Sequence, residues 1–358
     1  RAGARSGMGQ RACRHPFRIP DIMTAGLAMA PWVADQARQL LAQNGHAWLL
    51  HGPSGLGQYD LALSLASAWL CDQPSGEGAC GHCGSCHAID VRTHADLAVL
   101  MPETVLIERG WPLGEKAQAE IDDKKRKASR EIRVEAMRET IEFSQRTSAR
   151  GRAKVVLVYP AERMNHVTAN ALLKTLEEPP GDVKFVLATE ASHLLLPTIR
   201  SRCMGHAMAW PEMSAALDWL AAQGFPPADA RALLRIAGGR PDDALLLGRS
   251  GPPAESWPRL PRALARGDVG ALSGFTPAQA ITVLQKLCHD LLSQGCGAPP
   301  RFFDAADLPE TSARMSIARL SGWAQSLARA ARTAEHPFNP GLALEDLATQ
   351  AHHIFHLP

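Results

Sequence analysis

Apolar and polar positions follow two rhythms along this chain, and the change between them falls near residue 210. Before it, short continuous apolar runs occur at 48–51, 97–101, 155–159 and 185–189. Runs of that length, β-branched at 155–159, predict strands buried on both faces of a parallel sheet. Between them, 61–70, 135–144 and 167–178 read as helices. In the last, Val167, Ala171, Leu172 and Leu176 fall on one face, and Pro179-Pro180 stops it. Strands alternating with helices predict a parallel, doubly wound α/β sheet.

After residue 210 the strand-type runs cease. Residues 211–248 are rich in Ala and Leu and punctuated by Gly238-Gly239 and Pro241, which predicts a small helical domain. The proline-rich stretch 250–261 reads as a linker. Beyond it, Ile317, Leu320, Ala324, Leu327 and Ala331 recur at near-heptad spacing. Asn339-Pro340 caps a last helix with Leu344, Leu347, Ala351 and Ile354 on its apolar side. The expected organisation is a disordered Arg/Gly-rich leader at 1–28, with Met29 an alternative start, an α/β domain at 29–210, a small helical domain at 211–251 and a helical domain at 252–358. No internal repeat is visible.

Composition narrows the function. Lys and Arg number 38 against 36 Asp and Glu, a balance that gives no electrostatic case for a strong autonomous nucleic-acid binder. No apolar run approaches a membrane span, and no export signal precedes the eight cysteines. The expected compartment is the reducing cytoplasm, where spaced cysteines bind metal more often than they form disulfides. Residues 114–130 are highly charged, with Lys124-Lys125-Arg126-Lys127 at their centre, and read as a solvated loop or helix extension.

The segment 51–60, HGPSGLGQYD, has the frame of a phosphate-binding loop between a strand and a helix. Gly52, Gly55 and Gly57 keep that frame, so a backbone cradle for nucleotide phosphate is expected there. Gln58 stands where the loop lysine belongs, and Tyr59 where the magnesium-binding hydroxyl belongs. An amide lacks the charge, and a phenol is too long. The acid expected at the end of the third strand is also missing, because 155–158 runs into Tyr159-Pro160-Ala161-Glu162. Glu162 would have to bend back to serve.

Cys71, Cys80, Cys83 and Cys86 follow C-x8-C-x2-C-x2-C. Four thiolates close a tetrahedral zinc site with no open position, so the expected zinc is structural. His82 or His87 is an alternative fourth ligand, and an iron–sulfur site lacks its usual following cysteine and proline. Cys203, Cys288 and Cys296 read as buried structural residues and Cys13 as unassigned.

The stretches NALLKTLEEPP at 170–180, FVLAT at 185–189 and IRSRC at 199–203 resemble the bacterial clamp-loader AAA+ proteins, as do Pro31-Trp32, the four-cysteine insertion and NPGLALE at 339–345. The resemblance covers nearly all of the chain from Met29 onward. It implies an α/β AAA+ P-loop domain with flanking helices and a zinc insertion at 71–86, a small helical lid domain, and an all-α C-terminal oligomerisation domain.

Motor subunits of the family keep the lysine, the hydroxyl and the strand-end acid. This sequence matches better the zinc-bearing kind with degenerate motifs. Asp242 aligns with a nucleotide-sensing arginine of the motors. The resemblance implies no ATPase or polymerase activity of the chain's own, and a role for Arg202 as an arginine finger reaching a neighbour's nucleotide site. Implied partners are motor subunits of gamma/tau type, a delta subunit, the sliding clamp and primer–template DNA during replication. The rivals are an active ATP-hydrolysing motor subunit and a stand-alone zinc nucleic-acid-binding module.

Overall fold

The computed structural model describes residues 29–309, 316–333 and 339–356, so the expected leader and Cys13 lie outside the described residues. The chain divides into two compact units. The first holds 33–52 and 58–207, and the second holds 30–32, 53–57 and 208 onward.

The elements up to the end of the first unit are α1 (Pro31–Leu41), β1 (Ala47–His51), α2 (Gln58–Leu70), α3 (Gly84–Asp90), β2 (Leu97–Leu100), α4 (Glu103–Glu108), α5 (Glu115–Asp122), α6 (Val134–Gln145), β3 (Lys154–Val158), α7 (His166–Glu177), β4 (Val183–Thr189), α8 (Pro197–Arg200) and β5 (Met204–Ala207). All five strands are parallel, in the order β2-β3-β4-β1-β5. Register places Leu49 beside Leu187 and Val156 beside Phe185. On one face Ile132, Met137, Leu172 and Leu176 close a core over Val156, Val158, Phe185 and Leu187. Burying such side chains contributes about 1.5–3 kcal/mol each. The other face receives α2, whose Leu61 and Leu65 are fully buried.

The four expected strands are present and parallel. The fifth, β5, gave no signal, because Met-Gly-His-Ala lies at the sheet edge with Met204 exposed. Val167, expected on the inner face of α7, is 60% exposed. The helix begins at the Asn165 cap, whose side chain accepts from Thr168 N (2.9 Å), and that phase turns Thr168, Leu172 and Leu176 inward instead. The charged segment carries α5 and is tied to Glu103. Arg126 donates to both oxygens of Glu103 (2.5 and 2.8 Å) and to Glu120 (2.7 Å), while its neighbours Lys124, Lys125 and Lys127 are exposed.

The second unit is helical: α9 (Met213–Ala222), α10 (Pro227–Ile236), α11 (Pro241–Ser250), α12 (Leu260–Ala265), α13 (Pro277–Gly295), α14 (Ile317–Thr333) and α15 (Pro340–His356). One core runs through it, from Leu220, Leu233 and Leu245 through Trp257 to Leu284, Leu320 and Leu347. Trp257 sits in the stretch expected as a linker, yet it is buried edge-on against Phe275, ring centroids 5.2 Å apart. α13 starts with a capping box between Thr276 and Gln279. On α14 the expected seam holds at Leu320 and Leu327, Trp323 joins it, and Ile317 is exposed.

Candidate functional site

β1 delivers the chain into the phosphate-loop segment, and α2 starts at Gln58. Gly55 (φ 77°) and Gly57 (φ 91°) adopt the left-handed conformations that such a loop requires. Gln58 does not project as the missing lysine would. It is buried, and its Nε2 donates back to the Gly52 carbonyl at 3.1 Å.

The other two departures from the motif meet each other. The Tyr59 and Tyr159 rings lie 5.5 Å apart, both buried. Trp111 Nε1 donates to Tyr59 Oη (2.7 Å), and Tyr159 Oη donates to Glu190 (2.8 Å). Arg109, just after α4, lays its guanidinium over Tyr59 at 4.0 Å and near Tyr159 at 5.2 Å. Burial pushes the Asp60 carboxyl up to about 6, with Arg109 pulling the other way. Burial likewise raises both tyrosine phenols above their ordinary value, so both stay neutral. Two aromatic rings and a cation thus meet at Tyr59 and Tyr159. Glu162 serves elsewhere, accepting from Thr189 Oγ1 (2.6 Å) and Glu190 N (3.3 Å).

Within the second unit, the loop residues 53–57 pack against α11. Ser54 Oγ donates to Asp243 Oδ2 (3.0 Å) and accepts from Arg240 (2.9 Å), and Arg240 pairs with Asp243 at 2.9 Å. Asp242 N donates to the Gly55 carbonyl (3.2 Å). A Cβ on Gly55 would lie 2.6 Å from Asp243 Cγ, so only glycine lets this carboxylate approach. Ser54 thus meets Asp243 and Arg240 as an ion pair.

Arg202 follows α8 at the surface of the first unit, its side chain 30% exposed. Its Nε donates to Glu177 Oε1 (2.5 Å) and its Nη1 to the Thr198 carbonyl (2.9 Å). Glu177 closes α7, in the motif 170–180. The arginine is thus held in an exposed, screened ion pair that a stronger anion can displace.

Cys71, Cys80, Cys83 and Cys86 converge, their Sγ atoms all within 4.8 Å of one another. Three of the separations are 3.7, 3.8 and 4.0 Å. A tetrahedron with zinc–sulfur bonds of about 2.3 Å has edges of about 3.8 Å, so the cluster fits that ion. Cys80 N donates to Cys71 Sγ (3.2 Å) and Cys86 N to Cys83 Sγ (3.4 Å). The Cys86 N–H, first, draws the Cys83 thiol down to about 6, while burial and then the Cys83 sulfur push Cys86 up to about 12. Four crowded sulfurs cannot all ionise without a cation, and the cluster could hold a metal ion.

His82 is exposed and bonded to the Cys80 carbonyl (2.8 Å), and His87 is exposed, so neither histidine joins the sulfurs. Asp72 and Ser85 brace the module through a 2.7 Å hydrogen bond, with Arg150 donating to Ser85 Oγ (3.0 Å). Cys288 is buried and Cys203 partly so, but Cys296, expected to be buried, is exposed where α13 ends.

The family described as DNA polymerase III, delta subunit, matches residues 34–210. The chain is 40% identical over 216 residues to DNA polymerase III subunit delta' of Pseudomonas aeruginosa, covering 59% of this chain and 58% of that protein. It is 35% identical over 223 residues to subunit delta' of Escherichia coli, covering 61% and 60%. This chain is thus similar to delta prime subunits over 59–61% of its length. Subunit tau of Escherichia coli is 35% identical over 159 residues, covering 44% of this chain and 21% of that protein. The matches span less than two thirds of the length of these delta prime relatives.

The matched span, 34–210, contains the loop, the tyrosine pair, the four cysteines and Arg202. Three residues that sequence reasoning missed, Arg109, Trp111 and Glu177, also lie in it. Arg109 and Trp111 stand some fifty positions from Tyr59, with no spacing to announce them. Glu177 was within sight, since it belongs to the same motif family as Arg202.

Proposed function

We propose that this chain is a clamp-loader subunit that does not hydrolyse ATP and instead completes a neighbour's active site. The observation that carries the reading is the Tyr59–Arg109–Tyr159 cluster. Phosphoryl transfer needs a cation, a metal and an acid around the phosphates. Here those positions are taken by neutral rings and by an arginine already engaged with Asp60. The rival motor reading would need all of these groups to leave.

Arg202 is the group that would act in trans. Its guanidinium would exchange the Glu177 carboxylate for the γ-phosphate bound by a motor subunit of gamma/tau type, stabilising the charge that grows in transfer. Cys71, Cys80, Cys83 and Cys86 would hold a structural zinc that fixes the insertion. A delta subunit, the sliding clamp and primer–template DNA complete the assembly in the cytoplasm, where it places the clamp for replication. Described helices give no membrane span.

The test is a mixture of the purified chain with gamma/tau-type motor and delta subunits. Co-elution as one complex, with no ATP turnover by the chain alone, is the expected result. Steady turnover by the chain alone, or failure to join the motors, would overturn the reading.

A further inference from the structure

We propose that Lys286 is an acylation site: its side-chain amine, in the wall of an apolar cavity of the helical unit, takes the acyl group of small acyl phosphates or acyl thioesters and houses it in that cavity. The cavity has a volume of about 210 Å³, and its walls include Leu247, Pro252, Trp257, Phe275 and Val283. Lys286 is the charged residue among those lining it. The ammonium group is therefore poorly solvated, whereas a neutral amide with a short hydrocarbon tail suits such walls.

Sequence usage points to the same position. From residue 208 onward the chain has twelve arginines and this single lysine. Arginine stays protonated, so lysine alone offers a nucleophilic nitrogen. The groups around it act together. Burial first, and then the Arg240 guanidinium, push the Lys286 ammonium down to about 8, with Asp243 opposing. From the loop after α13, Phe302 presents its ring 5.6 Å from Nζ, and Arg301 (5.4 Å) and the His289 ring (5.4 Å) pack on the same ring. Arg301 is exposed and can meet the phosphate of an anionic acyl donor.

In the reaction, the neutral Nζ attacks the acyl carbonyl carbon and a C–N bond forms. The C–O bond to phosphate or the C–S bond to the thiol breaks, and the leaving group departs with the bonding pair. The amine proton passes to water. Nothing is oxidised or reduced.

The experiment incubates the full chain with acetyl phosphate in one arm and acetyl-coenzyme A in the other, from pH 7 to 9.5. Site-resolved mass spectrometry then follows all eight lysines. At pH 7.5 an amine titrating at about 8 is about 200-fold more often neutral than an ordinary lysine at ~10.4. Lower basicity returns part of that gain. Lys286 should react at least ~10-fold faster than the exposed Lys116, Lys124 and Lys127, and its rate should level off above pH 8 while theirs keeps climbing. K286R should remove this fast site and leave the others unchanged. Reaction in one arm only supports the site and names its donor. Rates at or below those of the exposed lysines in both arms, or an identical pH curve, would overturn it.

Discussion

Replacing Arg109 by alanine strikes the buried cluster it forms with Tyr59 and Tyr159. The guanidinium lies 4.0 Å from the Tyr59 ring centre and 5.2 Å from that of Tyr159. A desolvated contact of this kind contributes up to about 2 kcal/mol. The larger effect is on Asp60, whose carboxyl already stands at about 6 through burial even with Arg109 beside it. Breaking a buried charge pair costs about 3–5 kcal/mol, and Asp60 can relieve part of this by taking up a proton. The expected loss is about 2–4 kcal/mol at pH 7.5.

The sign of the pH dependence follows from the direction of that shift. The folded value lies above the unfolded one of about 3.9, so ionised Asp60 weakens the fold above pH 6, and the cost is relieved as pH falls from 6 towards 4. Without Arg109 the folded value rises further, so the variant loses more at neutral pH than at pH 5, where only the cation–ring contact is lost. Urea unfolding of both proteins, followed by tryptophan fluorescence, checks this at pH 7.5 and pH 5. Trp111, bonded to Tyr59, sits inside the affected site. An unchanged midpoint at pH 7.5, or equal losses at both pH values, would refute the reasoning.

Three further outcomes are expected. Restoring the motif residues together as Gln58→Lys and Tyr59→Thr should leave ATP turnover at background in a steady-state assay, because Tyr159 still replaces the acid. Cys83→Ser should lower bound zinc below one per chain by elemental analysis and loosen 71–90 in hydrogen exchange more than the β-sheet, since a closed thiolate site is coupled directly to local folding. Asp290 is fully buried and accepts from the amides of Arg301, Phe302 and Phe303, each at 2.8 Å. Asp290→Ala strands those donors and should cost about 3 kcal/mol or more, read as a lower unfolding midpoint of the helical unit.

What could be read in the sequence was what is local. The four cysteines announce themselves by spacing, because one tight turn and the start of α3 bring them together. Strands β1 to β4 show as apolar runs because both faces of the sheet are covered. β5 escapes because its residues, Met204 to Ala207, are largely exposed and include Gly205 and His206, so they form no apolar run. Val167 misled because helical phase is set by the Asn165 cap and not by the apolar count. Gln58, Tyr59 and Tyr159 stood out as departures from a motif, but what they touch was not legible. Arg109 and Trp111 reach the tyrosines only through the fold, and Arg240 and Asp243 reach Ser54 from nearly two hundred residues away.

The finger role of Arg202 is tested most directly by the ATPase of the reconstituted loader carrying Arg202→Ala in this subunit. The substitution removes an exposed ion pair with Glu177 and no core packing, so the variant should fold and assemble as before. A finger is worth on the order of 10³-fold at the site it serves, diluted by the sites that keep their own. The account predicts normal assembly with a clear fall in DNA-stimulated ATP turnover and clamp loading. Normal assembly with unchanged turnover and unchanged loading would contradict it.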